Sequence, residues 1–133
     1  MIERSVLYLT KAQESLSGAE SEYANGRYNN CANRCYYACF QGAVQALLAA
    51  GVTPPLTRAT WSHEQVQAHF AGELIARRKL YPSGMRDVLS RTYLLRVTAD
   101  YTPDVVSETQ ASRALRRTRS MLEVLVERGG EAR

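Results

Sequence analysis

From Asn29 to Ala50 the apolar residues do not form a stripe. Cys35, Tyr36, Tyr37, Cys39, Phe40, Val44, Leu47 and Leu48 cover most of the circumference of a helix. A helix that is apolar all round must be enclosed by other elements, so this segment is expected to be the central rod of a helical core. At about 1.5 Å per residue it would span about 33 Å, the diameter of a small domain. Gly51 and the Thr53-Pro-Pro55 breaker stop it.

The remaining segments have the patterns such a rod needs around it. Ile2, Val6, Leu9, Leu16, Ala19 and Tyr23 recur at helical steps with polar residues between them, and Asn25-Gly26 closes that helix. Residues 53–61 form the longest expected loop. Ser62-His63-Glu64-Gln65 has capping-box spacing, which predicts a shorter helix that carries Val66 and Phe70 inward. A fourth helix is expected to start around Pro82-Ser83, to pass through Met85, Leu89, Leu94 and Leu95, and to end at Asp100 before the Thr102-Pro103-Asp104 break. Ser107 to Gln110 repeats the capping-box spacing. It opens a last helix with Ala111, Leu115, Thr118, Leu122, Leu125 and Val126 on one face, stopped by Gly129-Gly130. No segment alternates as a strand would. The expected fold is all-α: an antiparallel up-down four-helix bundle with one short extra helix, residues 1–133 forming one domain.

Composition narrows the function classes. With 45% hydrophobic and 23% charged residues the chain has the balance of a globular protein. The charged N-terminus does not resemble a signal peptide, and no window nears eighteen apolar residues, so no membrane association and a cytoplasmic location are expected. The net charge of +4 raises the expectation of a polyanionic partner only slightly. Cys31, Cys35 and Cys39 recur every fourth residue along one helix. That geometry strings thiols along an axis instead of converging them on a metal, so buried, reduced core residues at a close helix approach are expected, with no metal and no cofactor. Walker, GxGxxG, HExxH and GxSxG motifs do not occur.

Two arginines stand out because both occupy apolar surroundings. Arg96 follows Leu89 and Thr92 and precedes Ala99 on one helical face, while Arg34 neighbours Tyr36, Tyr37 and Ala38. A buried guanidinium needs partners, and Asp100 and tyrosine hydroxyls are candidates. The same residues can build a structural polar network or line an anion pocket with Arg34, Arg96 and Tyr37 as phosphate ligands, and the sequence leaves both open. His63, inside a capping serine, reads either as a loop-packing residue or as a proton carrier. Trp61 reads as a loop anchor. Arg77, Arg78 and Lys79, with Arg113, Arg116, Arg117 and Arg119 on the last helix, form basic runs whose ordinary reading is a solvated face with ion pairs to Glu108, Glu123 and Glu127.

Gly26, Tyr28, Asn29, Ala32, Arg34, Tyr36, Tyr37, Ala38 and Phe40, then Ser62-His63, then Arg96, Ala99, Asp100 and Tyr101 stand in an order that resembles the HEPN family. That resemblance implies a small helical domain of prokaryotic toxin–antitoxin and nucleotidyltransferase-associated systems. Ribonuclease members carry an arginine followed four to six residues later by histidine, two protomers sharing the cleft. Here Asp100 stands at that spacing from Arg96, and no histidine follows His69. Aspartate is ionised near neutral pH and repels phosphate, which counts against ribonuclease activity. The leading expectation is therefore an interaction module that forms a homodimer and pairs with a minimal nucleotidyltransferase. RNA or nucleotide binding is allowed. The alternative is a metal-independent endoribonuclease with Arg96, Asp100, Tyr101 and His63 as candidate catalytic residues. The homodimer expectation comes from the fourth helix, where Leu94, Val97 and Tyr101 make a second apolar line.

Overall fold

The computed structural model describes residues 4–52 and 61–129. The chain runs as α1 (Arg4–Ala24), α2 (Tyr28–Ala49), α3 (His63–His69), α4 (Val88–Tyr101) and α5 (Glu108–Gly129), and no strand occurs among the described residues. It is an all-α, antiparallel four-helix bundle with α3 as the short extra element. Residues 53–60 of the loop expected at 53–61, the start of the first helix at Ile2 and the stop at Gly130 lie outside the described residues.

α2 is the hub, packed against α1, α4 and α5. Its buried residues include Cys31, Cys35, Tyr36, Cys39, Val44 and Leu47, which lie on more than one side of the helix as its composition demands. The cysteine row lies against α5. Cys31 and Cys35 cluster with Ala111, Ala114 and Leu115, and the Cys39 thiol lies 3.4 Å from the Thr118 hydroxyl. Burial pushes the Cys39 thiol up to about 11, and all three cysteines are free. Gly42 lets the same pair of helices close in: a Cβ there would stand 2.7 Å from Leu125 Cδ1.

Four expectations need correction. In α1 the buried residues are Ser5, Ala12, Ser15 and Ala19, with Leu9 and Leu16 only partly covered. Small side chains let α2 come close, and the larger apolar ones splay to the flanks. The helix that opens at Ser62 is longer than expected. Its capping box forms as predicted, and Val66 and Phe70 are buried. After His69, however, it continues as a π-helical stretch, Phe70–Arg77, in which Arg78 N–H reaches back to Glu73 O at 3.0 Å. The next helix starts later than Pro82-Ser83: residues Ser83–Met85 form a 3-10 turn, and α4 proper begins at Val88. Pro82 is extended at ψ 146°, so it precedes a helical turn without belonging to it. Finally, Val126 is 49% exposed while Leu125 is fully buried. One residue turns a helix by about 100°, enough to carry Val126 out of the core.

Candidate functional site

The Arg96 side chain is 17% exposed, and it reaches from α4 onto the tyrosine-rich face of α2. Its guanidinium carbon lies 5.1 Å from the Tyr36 ring centroid, 5.3 Å from that of Tyr37 and 5.5 Å from that of Tyr101. Nη2 donates to the Tyr101 hydroxyl at 3.1 Å, and Nε stands 3.4 Å from Asp100 Oδ2, an ion pair without hydrogen-bond alignment. Two positive-to-aromatic contacts from one neighbouring helix, plus a carboxylate one turn away, are how a guanidinium is tolerated on an apolar face.

Asp100 extends the network. Its Oδ2 accepts from Asn33 Nδ2 at 2.8 Å, and the Asn33 side-chain oxygen Oδ1 accepts from Arg34 Nε at 2.9 Å and Nη2 at 2.6 Å. The Arg34 guanidinium also lies 5.0 Å from the Tyr37 centroid. Arg34 and Arg96 therefore share one ring and are bridged through Asn33 and Asp100. Their electrostatic situations differ. Arg96 is paired with a carboxylate, whereas Arg34 has only a neutral carboxamide as its hydrogen-bond partner among the described residues. The Arg34 stem does not face α4. It lies along Gly18 of α1, where a Cβ would touch its Cδ at 3.5 Å, and it borders an open cavity of about 610 Å³ with Lys11, Glu14, Ser15, Ser17 and Gln41.

His63 enters from the start of α3. Its Nδ1 and the Tyr36 hydroxyl are hydrogen-bonded at 3.0 Å, and its ring stacks on Tyr93 at 3.9 Å and 18°. Burial lowers the imidazole below its ordinary value, and the nearby Arg96 charge acts in the same direction against the opposing pull of Glu64. Burial holds the Tyr36 hydroxyl well above the usual phenol range. Both groups are thus neutral near pH 7. Trp61 is buried with its ring 5.5 Å from His69, which gives His69 a packing role away from this cluster.

The candidate site residues Arg34, Tyr37, His63, Arg96, Asp100 and Tyr101 fall in this one continuous cluster between α2, α4 and the start of α3. Sequence reading missed Asn33 and Tyr93. Asn33 is legible only as the residue beside Arg34. Tyr93 is three residues before Arg96, one turn earlier on the same side of α4, and that spacing was the available signal. Among the described residues no group of side chains could hold a metal ion, and no helix is long and apolar enough to cross a membrane.

Comparison with known protein families matches the HEPN domain family over residues 5–129. No curated protein matches the chain.

Proposed function

The chain belongs to the HEPN domain family, and from that premise we propose that it is an interaction module, the HEPN half of a nucleotidyltransferase-associated, toxin–antitoxin-like pair. Its partner on this reading is a separately encoded minimal nucleotidyltransferase, and the protein itself is a homodimer. The observation that carries the reading is the engagement of Arg96. The cation that phosphodiester cleavage needs is already paired with Asp100, hydrogen-bonded to Tyr101 and set against three rings. Redirecting it to a phosphate would break these contacts and leave Asp100 facing the substrate. Phosphate contact, where it occurs, falls to Arg34, whose charge has no acidic partner among the described residues. The outer line of α4 supports the homodimer, with Leu94 65% and Tyr101 69% exposed.

The experiment is co-expression with the adjacent reading frame, followed by co-purification and sedimentation of each component alone. A stable complex with a nucleotidyltransferase, and a dimer of the HEPN chain alone that Leu94→Glu dissociates, are the expected results. A monomer at high micromolar concentration that binds no such partner would reject the reading.

A second reading rests on His63. A neutral imidazole kept near Arg96 is chemically able to accept a 2′-hydroxyl proton, which keeps a metal-independent endoribonuclease in view. On that reading Arg96 and Arg34 hold the phosphate, while Asp100, Tyr101 and Tyr37 line the site. Incubation of purified protein with mixed RNA decides it. Cleavage that disappears in both His63→Ala and Arg96→Ala supports the enzyme, and cleavage that survives either substitution dismisses this site.

A further inference from the structure

Away from the tyrosine cluster, α1 and α5 leave a groove of about 490 Å³. Its floor is Leu16, Leu122 and Val126, and its rim carries Glu20, Glu123 and Glu127. Val126 is 49% exposed there, an apolar side chain with no cover. The rim charges are unequal in their surroundings. Glu20 is paired with Arg119 at 3.1 Å. Glu123 and Glu127 have no hydrogen bond or ion pair among the described residues.

That arrangement costs the free protein stability. Glu123 and Glu127 are four residues apart on one helix, where like charges repel. Both lie in the closing turns of α5, which ends at Gly129, so the negative end of the helix dipole adds to the repulsion. Arg119, one turn before Glu123, would relieve it but is held across the groove by Glu20. Arg128 is turned away to donate to Leu80 O at 2.9 Å. The protein as a whole is basic, at +4, so this acidic strip runs against the charge of its own surface.

We propose that the α1–α5 groove is a docking site for a basic amphipathic helix of a partner protein. Leucine-type side chains at i, i+3, i+4 and i+7 would cover Leu16, Leu122 and Val126, and lysines or arginines flanking that stripe would pair with Glu123 and Glu127. The helix-in-groove mode fits because the groove lies between two packed helices and is lined by apolar side chains with carboxylates beside them. The proposal rests on the interaction-module reading and assigns that module its contact surface and the chemistry of what it contacts.

The test uses the full chain and a fluorescein-labelled leucine–lysine peptide patterned as such a helix, with anisotropy as the readout. Saturable binding is expected, weakened about tenfold, or about 1.4 kcal/mol, by Glu123→Gln with Glu127→Gln. Val126→Ser weakens it as well, and added salt lowers it further. These positions are exposed, and unchanged thermal midpoints establish that the variants fold. A leucine–glutamate peptide of the same pattern should not bind. Absence of saturation up to about 1 mM peptide, where binding energy is only about 4 kcal/mol, overturns the proposal, as does equal binding by wild type and both variants. So does sedimentation showing a dimer that Val126→Asp dissociates, since the occupant is then a second copy. A failed peptide test leaves co-purification with the nucleotidyltransferase untouched, so the two readings fail separately.

Discussion

At the scale of single residues the chain's most informative interactions are those of Arg96. It is the only described arginine that combines a mostly buried side chain with a carboxylate partner and three aromatic contacts. Arg96→Ala removes all of these at once and leaves Asp100 with Asn33 alone. A loss of about 2 kcal/mol is expected, below the range for a fully buried pair because the Asp100 side chain is 28% exposed. Urea denaturation of the two proteins measures it. Arg96→Lys should recover only part of the loss, since a lysine ammonium keeps the charge but not the planar fork that reaches Tyr101 and stacks on the rings. The identity of Arg96 as a special residue was legible from its apolar helical face. The bond from Asn33 to Asp100 and the stacking of Tyr93 on His63 were not, because a side chain's partner on another helix depends on how the two helices are set against each other, which no local pattern encodes.

Among the elements, helix starts divide into those the local sequence caps and those it does not. Ser107 and Gln110 cap α5 reciprocally, with Gln110 N–H donating to Ser107 Oγ at 3.1 Å and Ser107 N–H donating to Gln110 Oε1 at 2.9 Å. Asp87 precedes α4 and makes no side-chain cap bond. Ser107→Ala is therefore expected to cost about 1 kcal/mol, whereas Asp87→Ala should stay within about 0.5 kcal/mol. Chemical denaturation midpoints of the two variants separate the cases, and an equal loss in both would show that the cap at Ser107 is not what holds the start of α5. The same contrast explains what could be read beforehand. Capping boxes are written in four consecutive residues, so the starts of α3 and α5 were visible. The π-helical stretch from Phe70 to Arg77 and the 3-10 turn at Ser83 have no such signature. In them the ladder shifts by one residue to satisfy packing against the rest of the bundle.

For the whole molecule, His63 connects the fold to pH. Its folded-state value lies below the ordinary histidine value of 6.5. The unfolded chain thus binds a proton at His63 more readily than the folded one. The contribution of the neutral ring is complete above about pH 6.5 and is lost progressively as the pH falls from there to the folded-state value, after which the loss levels off. Thermal unfolding followed through this interval should show the midpoint falling, with a smaller fall in His63→Gln. If the two profiles run parallel, His63 is not the group responsible. Tyr36 and Tyr93 face it from the neighbouring helices, the Tyr36 hydroxyl held above the usual phenol range by burial, and the Arg96 guanidinium disfavours a charge on the imidazole. Protonation therefore places a second cation near the guanidinium that is paired with Asp100.

By itself the sequence determined which segments are helices and that α2 lies at the centre, because helical period, capping spacing and an apolar circumference are properties of residues within a few positions of one another. It also brought Arg34 and Arg96 into view as residues whose charge did not suit their apolar neighbours, Asp100 by its spacing from Arg96 and His63 by its place inside a capping serine. Only the tertiary structure decided that Asn33 and Asp100, separated by 67 residues, are hydrogen-bonded, that among the described residues Arg96 has a carboxylate partner and Arg34 a carboxamide, and that Val126, Glu123 and Glu127 border a groove. Those outcomes follow from the depth and rotation at which each helix packs on α2, which are set by the fit of all the buried side chains together and are written in no single stretch of the chain.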